Sequence, residues 1–157
     1  QGIDVRGQAS RVATTLRQGF GLTAPQARAL QNFEAGLHEQ EMGETLIRQQ
    51  LAARREQMVT HRSLVISRHE TLSASNSGQQ EVWTQATEQG LLEPDQKREW
   101  VTQPGLNADN PCPICRPMNG QLRGLTEEFE SPYSGDRATQ PPIHIGCECV
   151  SVLHFED

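Results

Sequence analysis

The chain has 157 residues with 20 acidic and 14 basic side chains, a formal net charge of −6. Its hydrophobic fraction is 34% and its aromatic fraction 4%, so the core is lean and the length suits one domain, or one small domain with an extension. No stretch reaches the ~18 consecutive apolar residues of a membrane span, and no charged-then-apolar leader opens the sequence, which disfavours membrane and secreted readings. The first residue is Gln1 rather than Met, which marks the sequence as a processed product or part of a longer polypeptide.

Charge is divided unevenly. Residues 1–72 hold nine arginines against seven acidic residues, whereas residues 73–157 hold five basic residues against thirteen acidic ones. An acidic half is a poor partner for a phosphate backbone, so bulk DNA binding there is disfavoured.

Residues 1–22 are rich in Gly, Gln, Ser and Thr and read as an extended arm that needs a neighbour to order it. A helix start follows at Thr23-Ala24-Pro25, with a capping hydroxyl and a proline in the first turn. Ala27, Leu30, Phe33 and Leu37 recur at three- and four-residue steps, the spacing of one apolar helical stripe. A break is expected near Gly43. A second helix carries Leu46, Ile47, Leu51 and Met58, and a third runs from about Thr60 to a stop at Gly90. The helical region thus covers 23–90.

From Leu91 onward the character changes. Every proline except Pro25 lies there, with all four cysteines, so 91–157 reads as loops and short strands. Arg98-Glu99-Trp100-Val101-Thr102 and Val150-Ser151-Val152-Leu153-His154-Phe155 are strand candidates, and Gln121-Leu122-Arg123 after Asn119-Gly120 reads as the return arm of a turn. The predicted fold class is α+β: a helical N-terminal half followed by a small zinc-pinned β/loop unit.

The residues with the richest chemistry are Cys112-Pro113-Ile114-Cys115 and, beginning 29 positions after Cys115, His144-Ile145-Gly146-Cys147-Glu148-Cys149. A C-x-x-C turn points two thiolates to one side, and Cys147 and Cys149 on a strand share a face because side chains alternate. Cys112, Cys115, His144, Cys147 and Cys149 thus offer five donors where a tetrahedral zinc ion takes four. Spacing does not tell which of His144, Cys147 and Cys149 stays out. Two disulfides, a redox C-x-x-C pair and a cluster without metal are the competing readings; absent export signals and the flanking prolines weigh against the first two. Thiolate-rich sites are closed and structural more often than catalytic, and strand alternation turns Glu148 away from the ion.

These residues, with those preceding them, resemble the bacteriophage Mu F-like head morphogenesis family of minor head proteins. The resemblance runs from about Ile66 to Leu153. Ile66-Ser67-Arg68-His69-Glu70-Thr71 is similar to the family's I-A-R-T-E-T stretch, and Asn76, Gly78 and Trp83 follow at familiar spacing. Lys97-Arg98-Glu99-Trp100 matches a short basic run ending in Trp, and Asp109 with Cys112, Cys115 and Met118-Asn119-Gly120 matches D-x-x-C-x-x-C … L-D-G-Q. Pro141-Pro142-Ile143-His144-Ile145-Gly146-Cys147-Glu148-Cys149 matches P-P-x-H-P-x-C-R-C, the most specific segment. His69, Ile145 and Glu148 depart from the usual Thr, Pro and Arg.

The resemblance implies a non-enzymatic virion component bound to the portal and other head proteins. It would assist capsid assembly, DNA packaging or delivery, with transient DNA contact and no membrane span. Its place would be the virion head near the portal, after assembly in the host cytoplasm. The resemblance also implies a structural role for Arg68, Glu70 and Trp100, the first two bonding across to the Cys-rich half. Related modules precede effector domains in some toxins, and the eight residues after Cys149 leave no room for one. A metal-dependent phage-delivered enzyme (a nuclease or effector) and a zinc-ribbon nucleic-acid binder are the alternatives. Residues 1–60, with apolar stripes and little partner surface elsewhere in the chain, are expected to form the main docking surface.

Overall fold

A computed structural model of the chain describes residues 12–13, 21–102 and 112–155. Most of the arm expected over 1–22, together with Asp109 and Pro111, lies outside the described residues.

Helix α1 spans Ala24–Glu39. Its start is fixed by a reciprocal capping box: the Gln26 amide donates to Thr23 Oγ1 at 3.4 Å, and the Thr23 amide donates to Gln26 Oε1 at 3.0 Å. At the other end Met42 N–H donates to Leu37 O and Glu41 N–H to His38 O, with Glu41 at φ +55°. This is the left-handed helix cap that glycine usually fills. The break expected near Gly43 is therefore present between α1 and the next helix, with the turn made at Glu41.

Helix α2 spans Glu44–Glu88, 45 residues, or roughly 66 Å at 1.5 Å per residue. The two helices expected on either side of Thr60 are one. No proline or glycine interrupts residues 44–77, so nothing local ends the first. The expected stop at Gly90 is present, with Gly90 at φ +69° and Leu91 N–H donating to Ala86 O at 2.8 Å.

The chain forms two compact units that divide within α2, one ending at Ser67 and the other beginning at Arg68. In the first, α1 lies antiparallel on the beginning of α2. Gln26 Nε2 donates to Met58 O, Arg54 stacks 5.8 Å from the Phe33 ring centre, and Leu37 and Ile47 are buried. Within this unit the apolar stripe of α1 is covered in part: Leu37 is buried, and Ala27, Leu30 and Phe33 are half-buried. Further along, Ser63 and Ser67 are fully buried and return their hydroxyls to the carbonyls of Val59 and Ser63.

The second unit holds an antiparallel sheet of order β2-β1-β5, with β1 at Lys97–Val101, β2 at Leu122–Gly124 and β5 at Val150–His154. Trp100 pairs with Ser151 and Arg98 with Leu153 across β1–β5, while Arg98 faces Arg123 across β1–β2. A small hairpin of β3 (Phe129–Glu130) and β4 (Arg137–Ala138) is tied at its surface by Arg137 and Glu130, 2.8 Å apart. All three strand segments anticipated from sequence occur, and the fold is α+β with a helical N-terminal half followed by a strand-and-loop region.

The core of this unit gathers Trp100, Met118, Phe129, Cys115, Cys147 and Cys149, with Cys112 and Ile143 packed against it. Trp100 meets Phe129 edge-on, with ring centres 5.2 Å apart. Two residues earlier on the same strand face, Arg98 is fully buried over the Phe129 ring at 4.8 Å and donates to the carbonyls of Gly124 and Glu127. Burial pulls the Arg98 guanidinium down to about 10, against the nearby Glu127 carboxylate, which leaves it cationic at neutral pH.

Candidate metal centre

The C-x-x-C segment folds as a tight turn. Cys115 and Arg116 both donate their amides to Cys112 O, at 3.1 and 2.9 Å, and a 3-10 turn at Arg116–Met118 follows. Neighbouring hydroxyls clamp this turn: Thr102 Oγ1 donates to Cys115 O at 3.0 Å and Ser131 Oγ to Ile114 O at 2.9 Å. The second donor segment is also a turn, closed by Cys147 N–H to His144 O at 3.1 Å with Gly146 at φ +80°. A side chain at 146 would be strained in that left-handed conformation.

The turns bring all five predicted donors into two triads that share Cys115: Cys112–Cys115–His144 and Cys115–Cys147–Cys149. His144 Nε2 lies 3.2 Å from Cys112 Sγ and 3.0 Å from Cys115 Sγ, and Cys115 Sγ lies 3.8 Å from Cys147 Sγ. Tetrahedral zinc with sulfur at 2.3 Å sets neighbouring sulfurs roughly 3.8 Å apart and sulfur from nitrogen roughly 3.5 Å. The sulfur pair meets that spacing, and the histidine contacts are a few tenths of an ångström tighter. His144 Nδ1 sits 2.9 Å from Ile145 O, which favours the tautomer with its proton there and leaves the Nε2 lone pair facing the sulfurs. The donor set therefore fits a metal ion that accepts thiolates and imidazole.

The electrostatics point the same way. Cys115 and then Cys149 share their S–H groups with Cys147, and the backbone at Cys149 and Ile143 adds to this. Together they hold the Cys147 thiol far below its ordinary range although burial opposes them. The reciprocal contact with Cys147 pushes the Cys115 thiol up. Cys149 is pushed up to about 11: the Cys115 contact favours its thiolate, but Cys147 and burial outweigh it. The cluster thus concentrates thiolate character on one sulfur held among protonated neighbours.

All four cysteines are free, so the disulfide reading does not describe this structure. The C-x-x-C opens a three-residue 3-10 turn rather than an α-helix, unlike the context of a redox pair. Glu148 belongs to neither triad, but Cys147–Cys149 lies outside any strand, since β5 begins only at Val150, so the two thiols are not brought together by the strand alternation expected from sequence. Trp100 is fully buried in the core beside the cysteines. Arg68 and Glu70, by contrast, make no hydrogen bond or ion pair among the described residues. The bonds from α2 to the Cys-rich loops come later on the helix: Asn76 Nδ2 to Pro141 O at 3.0 Å, Gln140 Nε2 to Ser77 Oγ at 2.6 Å and Gln80 Nε2 to Leu125 O at 2.7 Å. Asn76 is itself buried, and polarity alone gave no reason to single out Ser77 or Gln80.

Comparison with protein-family models, with curated proteins and with solved structures returns no match. Among the described residues, no helix is long and apolar enough to cross a membrane.

Proposed function

We propose that the Cys/His cluster holds one zinc ion as a closed structural site, and that the chain is a non-enzymatic, portal-associated minor head protein of the Mu F-like kind. The observation that carries the metal reading is that the five donors form two triads sharing Cys115, with His144 Nε2 3.2 and 3.0 Å from the Cys112 and Cys115 sulfurs and Cys115 Sγ 3.8 Å from Cys147 Sγ. Zinc is favoured because a mixed thiolate and imidazole set suits it and demands no redox chemistry. Three of the four thiols are buried, which supports a structural ion over one that must admit substrate. Bound zinc would pin two loops that carry few apolar side chains of their own, since binding free energy becomes folding free energy.

The head-protein reading rests on the motif order, and one structural feature supports it. Residues that carry the resemblance (Asn76, Trp100, the C-x-x-C pair and the His144–Cys149 segment) are drawn into the core, the donor cluster or the bond that ties α2 to it. In this reading residues 1–60 supply the surface that meets the portal, with Leu46 exposed near the helical turn. The protein would be found in the virion head, and in the host cytoplasm during assembly.

Two measurements test these statements separately. The purified chain should carry about one zinc per molecule; less than half an equivalent, with melting unmoved by a strong chelator, would remove the metal reading. Heads assembled from the genome that encodes the chain should contain it, and should lose it when residues 1–60 are deleted. Normal incorporation of the deleted form would sink the docking assignment, and absence of the intact chain from heads would sink the whole reading.

A further inference from the structure

The two donor segments are held in different ways. Thr102 and Ser131 clamp the Cys112–Cys115 turn by its carbonyls. The segment 139–149, which carries His144, Cys147 and Cys149, falls between β4 and β5 and joins neither sheet. Its internal bond, Cys147 N–H to His144 O, shapes the turn but does not fix where the turn lies. Among the described residues, and apart from contacts between the donors themselves, two hydrogen bonds tie this segment to the rest of the chain. Both reach α2: Asn76 Nδ2 donates to Pro141 O at 3.0 Å, and Gln140 Nε2 to Ser77 Oγ at 2.6 Å. The Gln140–Ser77 bond is exposed, so water competes for both of its groups. Asn76 is 3% exposed and Pro141 is fully buried, so losing that bond would strand a buried carbonyl. Pro141 stands three residues before His144, and Ile143 between them packs on the core.

We propose that Asn76 is the positioning residue of the metal centre: its amide, carried on α2, holds Pro141 O and so fixes the pose from which the second segment meets the ion. Pose matters here because the cluster offers five donors and a tetrahedral ion takes four. How the segment 139–149 lies decides which of its three donors complete the set. The helix thus serves the site without supplying a ligand, as hydrogen-bond partners behind metal ligands do. This proposal rests on the reading that the cluster binds a zinc-type ion, and goes beyond it by assigning the pose of the ligand segment to one side chain of α2.

Two measurements on the full-length chain test it: zinc affinity, by competition with a chromophoric chelator, and the visible spectrum after loading with cobalt(II). Asn76→Ala should bind zinc at least about tenfold more weakly than the wild-type chain. Its cobalt ligand-field bands should broaden, because the freed segment presents more than one donor set to the ion. Gln80→Ala is the control. It removes a bond made one helical turn further along α2, to Leu125 O, which lies outside both donor segments. That variant should keep the wild-type affinity and spectrum.

Wild-type affinity in N76A would overturn the proposal. So would weaker binding with an unchanged cobalt spectrum, since the bond would then stabilise the unit without selecting the donors. Equal losses in N76A and Q80A, or failure of N76A to fold with zinc present, would make the bond an ordinary fold contact and overturn it as well. A wild-type chain that takes up no cobalt or zinc would remove the metal reading itself, a result distinct from every failure of the Asn76 variant.

Discussion

At the residue scale the weight falls on Cys115. It belongs to both donor triads, is 1% exposed, and carries two backbone anchors: its amide on Cys112 O and its carbonyl under Thr102 Oγ1. No other donor can take its place from the same turn. Cys115→Ser should therefore lower bound zinc below about a tenth of an equivalent, while Cys149→Ser, which removes a donor from one triad only, should lower it less. Metal analysis of the two purified variants separates these outcomes, and equal loss in both would contradict the hub role of Cys115. The metal-free cluster also has a pH signature. Cys149 is pushed from 9.0 up to about 11, because the Cys147 contact and burial outweigh the Cys115 contact that favours its thiolate. The folded state thus keeps a proton that the unfolded chain gives up. The stabilisation is fully present below pH 9 and is lost as the pH rises through about 11. Denaturation of the metal-free chain should show stability falling between pH 8.5 and 11, with a smaller fall in Cys149→Ser.

At the scale of elements, what was legible followed from local chemistry. Thr23 with Gln26 announces a capping box, Gly90 ends α2 with a left-handed cap, and the β-rich runs around Trp100 and Val152 become β1 and β5. The donor cluster was legible because cysteine and histidine spacing encodes two turns. Helix continuity was not, since apolar periodicity lapses around Thr60 where α2 buries Ser63 and Ser67 instead of leucines. Buried serines satisfy their hydroxyls within the helix and so leave no hydrophobic signal. Arg98 escaped for a similar reason. A basic residue read as part of a charged run is in fact buried over Phe129, on the same strand face as Trp100. The break expected near Gly43 is present between Glu39 and Glu44, with Glu41 rather than Gly43 at positive φ. A non-glycine residue in that conformation gives up roughly 1 kcal/mol. Glu41→Gly should accordingly raise thermal stability by about 1 kcal/mol, less the extra entropy of glycine in the unfolded chain. A fall in melting temperature would mean that the Glu41 side chain contributes more than its backbone strain removes.

At the scale of the whole molecule, the metal and the long helix serve different units. All five candidate ligands lie in the unit that begins at Arg68, whereas α1 and the start of α2 are held by Leu37, Ile47, the Gln26–Met58 bond and the Phe33–Arg54 stack. Both tryptophans, Trp83 and Trp100, are buried in the metal-bearing unit. Removing the ion should therefore loosen one unit before the other. The clamps on the Cys112–Cys115 turn hold backbone only, and the thiols make up much of the core they share with Trp100, Met118, Phe129 and Ile143, so losing the ion loosens that core. A strong chelator should shift tryptophan emission to longer wavelength and flatten the near-ultraviolet circular dichroism. Most of the 222 nm helical signal should persist, because α1 and residues 44–67 of α2 contain no ligand. Readdition of zinc should restore the tryptophan signal. If helical and tryptophan signals instead vanished together in one transition, α2 would be coupling the units so strongly that the ion stabilises the entire chain, and the separate roles argued for them would be wrong.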